Sequence, residues 1–251
     1  MDLGLLVICF ALFIVAMLYA SVGHGGASGY LAVLSLSTYG AMEAAWLKQH
    51  AWCLNLVVAA IAFWHFYRAG HHDSRLTVPF IVASIPLAMF AGYLKVDGSV
   101  YDLLLSICLI LAAWRLYTVN TENVVVNGTL EWNVAAPTGG VIGFASGVVG
   151  IGGGVLLSPI LIMKQWATPK GAAATSAIFV WMNSLASLGG ATLSNQIVLD
   201  FETLLPFVIA VLIGGFIGSR FGADVAPQHI IRKLLIVVLI IASVKRIIGI
   251  F

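Results

Sequence analysis

Apolar residues in this chain come in long unbroken runs rather than in stripes or alternations. The runs cover residues 3–22, 26–38, 45–66, 77–94 and 100–118, and then 136–149, 153–164, 171–191, 203–221 and 230–249. A helix rises about 1.5 Å per residue, so a run of about 20 residues crosses the ~30 Å hydrocarbon core of a bilayer. Most of the runs therefore predict membrane-spanning helices. The second run of each group is too short for a comfortable crossing. Each short run directly follows a glycine cluster, Gly23-His24-Gly25-Gly26-Ala27 in the first group and Gly150-Ile151-Gly152-Gly153-Gly154 in the second. The predicted shape is a helical hairpin or broken helix with its turn inside the membrane. Irregular backbone at that depth survives only when it is buried in protein or lines a wet cavity.

The two clusters are displaced by 127 residues, and the same displacement carries Pro79-Phe80 onto Pro206-Phe207 and Ala91 onto Gly218. One offset holding over such a length predicts a duplication, the organisation of many membrane transporters. The halves are residues 1–118 and 136–251, joined by a polar linker at 119–135 in which Asn127-Gly128 reads as a turn. Five runs per half is an odd number, so the second half enters the membrane from the opposite side. The predicted fold class is an all-α polytopic membrane protein with two inverted repeats. Each repeat is a glycine-broken helical hairpin plus three transmembrane helices.

Composition agrees with a lipid solvent: 61% of residues are apolar and only 9% charged, against about 45–50% and about 25% in soluble domains. The distribution of charge gives orientation. Of the twelve Lys and Arg residues, Arg68, Arg75, Arg115, Lys164, Lys170, Arg220, Arg232 and Lys233 fall on one side, and Lys48, Lys95, Lys245 and Arg246 on the other. The richer side is expected to be cytoplasmic, with both termini outside and the protein in the inner (plasma) membrane. No basic cluster exceeds two adjacent residues, so nucleic acid is not an expected partner. Cys9, Cys53 and Cys108 are scattered within apolar runs and have neither metal nor redox spacing. The N-terminal run lacks the basic flank of a cleaved leader and reads as a retained segment.

Few residues are left to carry chemistry. A glycine cluster that opens a helix exposes amide N–H groups lacking intrahelical partners, and with the helix dipole these suit an anion. Scattered glycines such as Gly189-Gly190 and Gly214-Gly215 read instead as close helix packing. The third run of the second half opens with Ala174-Thr175-Ser176, and Asn183 shares a helical face with Ser176. Near the matching positions the first half has Lys48, Gln49 and His50, followed by Asn55. Lys48 either supplies charge to a site or snorkels to the interface, and Ser176 either faces a ligand or bonds the preceding turn. His71 and His72 read as part of a charged, solvated loop, and Trp46, Trp114 and Trp166 as interface anchors. The glycine string 147–154 has no following Lys-Ser/Thr and is not a nucleotide loop.

The stretch from Gly143 to Gly190 resembles the sulfite exporter TauE/SafE family of membrane permeases. Gly150, Gly152, Gly153, Gly154, Pro159, Thr175, Ser176 and Asn183 match that pattern in order. The first half keeps Gly23, Gly25 and Gly26, but places His24 and Ala27 beside them and Lys48-Gln49-His50 at the Ala-Thr-Ser element. The resemblance implies a permease, usually an exporter, for a small sulfur-containing anion such as sulfite or an organosulfonate. The candidate substrate-binding set is Gly23, His24, Gly25, Gly26, Lys48, His50, Asn55, Gly150, Gly152, Gly153, Gly154, Thr175, Ser176 and Asn183. The expected mechanism is alternating access around a midplane site. No catalytic constellation or cofactor is expected; the partners are the anion and the lipid bilayer, with a homo-oligomer left open. The alternatives are a passive anion channel and a membrane haem protein using His24, His50 and His65.

Overall fold

Each apolar run in the described part of the chain becomes a helix. The computed structural model describes residues 3–118 and 126–224, together with 240 and 244. The helices are α1 (Leu3–Ala20), α2 (Ala27–Leu36), α3 (Ala44–Arg68), α4 (Ser74–Tyr93), α5 (Gly98–Thr118), α6 (Trp132–Val149), α7 (Gly154–Met163), α8 (Pro169–Leu193) and α9 (Phe201–Asp224), with a short 3-10 turn at Thr38–Ala41. The described residues contain no strand. The run at 230–249 and the start of the linker at 119–125 lie largely or wholly outside the described residues, as do Arg232, Lys233, Lys245 and Arg246. Five helices, α1, α3, α4, α8 and α9, are long and apolar enough to cross a membrane. The short runs give short helices: α2 and α7 have 10 residues each.

The molecule is apolar outside and holds a set of polar side chains within an otherwise apolar interior. Phe10, Val141, Phe201 and Tyr117 are exposed, while Lys48, Gln49, His50, Asn55, Thr175, Ser176, Asn183 and Ser184 are buried. In water this arrangement would cost large hydrophobic and desolvation penalties. In lipid the outer side chains are already in their preferred solvent, and the inner ones find hydrogen-bond partners on backbone and side chains inside the bundle. The chain is a multi-pass membrane protein.

Packing crosses the two halves. The first half's α4 lies on α6 and α8, the second half's α9 lies on α1 and α3, and α3 meets α8 at the centre. The 127-residue displacement exchanges the first two arrangements. Both seams are built on glycines four residues apart. On α6, Gly139, Gly143 and Gly147 press against Phe80, Ser84 and Ala88 of α4; on α9, Gly214, Gly218 and Gly222 press against the carbonyls of Phe13 and Met17 of α1 and of Ser21 just beyond it. A Cβ at any of these would overlap the facing helix, which is how small residues bring helices together in lipid. The packing reading holds for Gly190 and Gly214 but not for Gly189, which has nothing within 4 Å.

Candidate functional site

The two turns that open α2 and α7 require glycine. Gly26 (φ 102°) and Gly153 (φ 83°) stand at the N-caps of the two short helices in left-handed conformation, where a side chain is strained. Gly23, Gly150 and Gly152 also have positive φ. The turns are wedged against the two central helices. Gly23 abuts the backbone of Ala173 on α8, and Gly150 abuts the Cα and Cβ of Lys48 on α3. Gly25 and Gly152, one from each turn, both abut the same two side chains, Asn55 and Val180. Asn55 and Val180 are each the twelfth residue of a 25-residue helix. The turns therefore meet at the halfway point of the two central helices.

The meeting point is not symmetric in its chemistry. Asn55 Oδ1 accepts from the Ala27 amide at 3.0 Å, and its Nδ2 donates to Ser184 Oγ at 3.3 Å. The first amide of α2 is thus satisfied by a side chain of α3. Val180, likewise the twelfth residue of its helix, offers no acceptor, and the Gly154 amide that opens α7 has no hydrogen-bond partner among the described residues. The positive end of α7 is the one left open. Around it lie His24, Val180 and Ser176, the three side chains nearest a Cβ built on Gly154. His24 Nε2 is 2.9 Å from Ser158 Oγ, which is 2.7 Å from Ser176 Oγ. Some of the buried polar atoms without partners among the described residues lie on or beside these elements: His24 Nδ1 in the first turn, Ser146 Oγ beside Gly153, and Asn183 Oδ1 one turn from Phe179. Asn183 Nδ2 is bound to the Phe179 carbonyl at 2.9 Å.

The other expected residues divide. Thr175 pairs with Thr77 of α4 at 3.2 Å, on a different face of α8 from the turns. Lys48 is buried; its ammonium lies 3.5 Å from the Leu94 carbonyl and 5.5 Å over the Trp52 ring, and no carboxylate pairs with it among the described residues. His50 sits away from the turns. Its Nδ1 donates to the Trp46 carbonyl at 2.7 Å, and its Nε2 accepts from the Asp200 amide at 3.3 Å. Trp46, expected as an interface anchor, is buried and stacked on His50 with centroids 3.7 Å apart. His65 belongs to α3 and pairs with Ser219 at 2.8 Å. His72 packs on Phe63 and Tyr67 and is only partly solvated; burial lowers its pKa while Asp73 opposes the shift. The described residues contain no group of three or more metal-ligating side chains.

Ser158, Ser184 and Val180 were not singled out by sequence. Ser158 had a signal, being four residues after Gly154 and so on the same face of α7. Val180 had none, since nothing distinguishes a valine at a site from any other in an apolar helix.

A buried, carboxylate-free meeting of two broken helices inside a lipid-exposed bundle is the architecture of a membrane transporter. The chain matches the family described as Sulfite exporter TauE/SafE over residues 8–246 and belongs to it. It is 34% identical over 250 residues to a probable membrane transporter protein of Sinorhizobium fredii, covering 98% of this chain and 99% of that one. It is also 32% identical over 112 residues to a probable membrane transporter protein of Xylella fastidiosa, 44% of this chain and 41% of that one. A probable membrane transporter protein of Bacillus subtilis is 28% identical over 101 residues, 40% and 36% of the two chains. No solved structure matches.

Proposed function

We propose that this membrane transporter exports a small sulfur-containing oxyanion, sulfite or an organosulfonate, by alternating access around the two glycine turns. One observation carries the reading: a glycine from each turn abuts the same Asn55–Val180 pair, midway along the two central helices. The open amides at the start of α7 receive the oxyanion, with the helix dipole favouring its charge. Ser176 and the Asn55 amide supply neutral donors, and Lys48 supplies positive charge from the side of Gly150. Asn183 lies further along α8 with an unused acceptor, suited to a protonated oxygen of the substrate. The orientation follows the basic bias, with the loop at 69–73 cytoplasmic and the termini outside.

A thermal-shift panel on the detergent-purified full chain tests this. Sulfite, thiosulfate, sulfoacetate and sulfate are compared with chloride at equal ionic strength. A ligand at a hundred times its Kd adds about 2.7 kcal/mol to the folded state, so at least one sulfur oxyanion should raise Tm saturably. A panel in which none exceeds chloride overturns the reading.

A further inference from the structure

His24 is the one ionisable side chain in either glycine turn. It is 6% exposed and bridges the halves, from the first turn to Ser158 on α7 and through it to Ser176 on α8. Its other nitrogen, Nδ1, is buried and unpartnered among the described residues. Neither neutral tautomer removes the defect. With the proton on Nδ1, an N–H is buried with no acceptor; with the proton on Nε2, a lone pair is buried with no donor. Either costs the desolvation of a polar group. Adding a proton alone would satisfy nothing, because a buried imidazolium needs an anion beside it. Adding an anion alone would place negative charge in a low-dielectric turn. Adding both resolves all of this: Nε2–H donates to Ser158, Nδ1–H donates to the anion, and the charges offset.

We infer that His24 is the coupling-proton site of this transporter, taking one proton from water into the first glycine turn with each anion bound at α7. This rests on the anion reading above and extends it to the co-transported ion. The surroundings supply no competing acid. Facing His24 from α1 is Tyr19, its ring centroid 6.2 Å away and its hydroxyl accepting from Ser28; from α2 comes Tyr30, donating to the Gly25 carbonyl. The packed helix α3 contributes Asn55 and, beside Gly150, Lys48, whose ammonium turns toward Leu94. From α7 and α8 come the hydroxyls of Ser158 and Ser176. None of α1, α2, α3, α7 and α8 carries a carboxylate, so the counter-ion for a charged His24 has to arrive as substrate. When the site opens to the other side, the anion leaves, the imidazolium loses its counter-ion, and the proton follows. Flux then depends on the proton gradient as well as the anion gradient.

Isothermal titration calorimetry of sulfoacetate against the full chain, in buffers of different ionisation enthalpy, counts the protons directly. Neither acid group of sulfoacetate titrates between about pH 6 and 8, carboxyl groups having pKa values near ~4. The wild type should take up close to one proton per anion near pH 7.5, and affinity should fall about tenfold per pH unit above it by linkage. His24→Gln retains a donor to Ser158 but cannot hold the extra proton; it should bind with no uptake and with affinity flat over the same range. His72→Gln, outside the site, should keep the uptake. Wild-type binding without proton uptake overturns the inference and leaves the anion reading intact, whatever the variants do. Uptake that persists in His24→Gln moves the proton site elsewhere and overturns it too. A wild type that binds none of the sulfur oxyanions overturns both.

Discussion

Gly154 and Gly189 both lie in helices with ordinary backbone, yet their surroundings differ completely. A Cβ on Gly189 meets nothing within 4 Å, whereas one on Gly154 lies 2.7 Å from Val180 Cγ2 and 3.3 Å from His24 Cδ2. Gly189→Ala should therefore raise stability by up to about 1 kcal/mol through helix propensity and leave anion affinity unchanged. Gly154→Ala keeps an allowed φ but pushes a methyl group into the mouth of α7. Displacing an anion from a charge-assisted amide contact forfeits roughly 1.5–3 kcal/mol, so affinity should drop about ten- to a hundredfold. Calorimetric titration of both variants decides it, and a folded Gly154→Ala protein that binds like wild type would put the pocket elsewhere. Gly153 is a poorer probe, because its φ of 83° and its closeness to Ser146 and Phe179 make any side chain a folding defect first.

Among the elements, the ends of α9 and α3 show what sequence could and could not supply. Asp200 Oδ2 accepts from the Thr203 hydroxyl at 2.6 Å, and its Oδ1 from the amides of Glu202 and Thr203. The Thr203 hydroxyl first, and then the two amides, hold its carboxyl below the usual carboxylate range. A depressed folded pKa gives stability that is present above the unfolded value near ~3.9 and lost as pH falls through the folded one. The Tm of wild type should exceed that of Asp200→Asn at pH 7 and converge on it toward about pH 2–3; a gap that persists unchanged in acid contradicts the cap. Such a local cap can be foreseen from Asp-x-x-Thr ahead of an apolar run. The partner of His50 cannot, because it is the backbone of Asp200, 150 residues away. The short helices α2 and α7 were legible, since glycine spacing and run length are both local. The burial of Trp46 was not: a tryptophan near a helix end reads the same whether it meets headgroups or stacks on a histidine.

At the scale of the molecule, the repeated glycine cluster located both turns. The crossing of α4 and α9 into opposite halves could not be read, since apolar runs do not say which helices they touch. In that crossing lies a physical basis for movement. The seams α4–α6 and α1–α9 are lined by glycines set against the facing helix, while side-chain hydrogen bonds tie the first turn to α3 and α7 and, through Ser158, to α8. Rocking about the glycine seams would leave the central site assembled while opening it to one side or the other. The central claim is that an anion is bound and then carried, and counterflow tests this most directly. Proteoliposomes of the full chain, preloaded with excess unlabelled sulfoacetate or sulfite, are diluted into a trace of the labelled anion. The account predicts saturable transient accumulation of label above the external concentration, as the outward-moving anion returns empty sites to the labelled one. Entry that merely approaches equilibrium, or that rises linearly with concentration, would reveal a passive channel; entry no faster than in protein-free liposomes would mean that these anions are not the cargo.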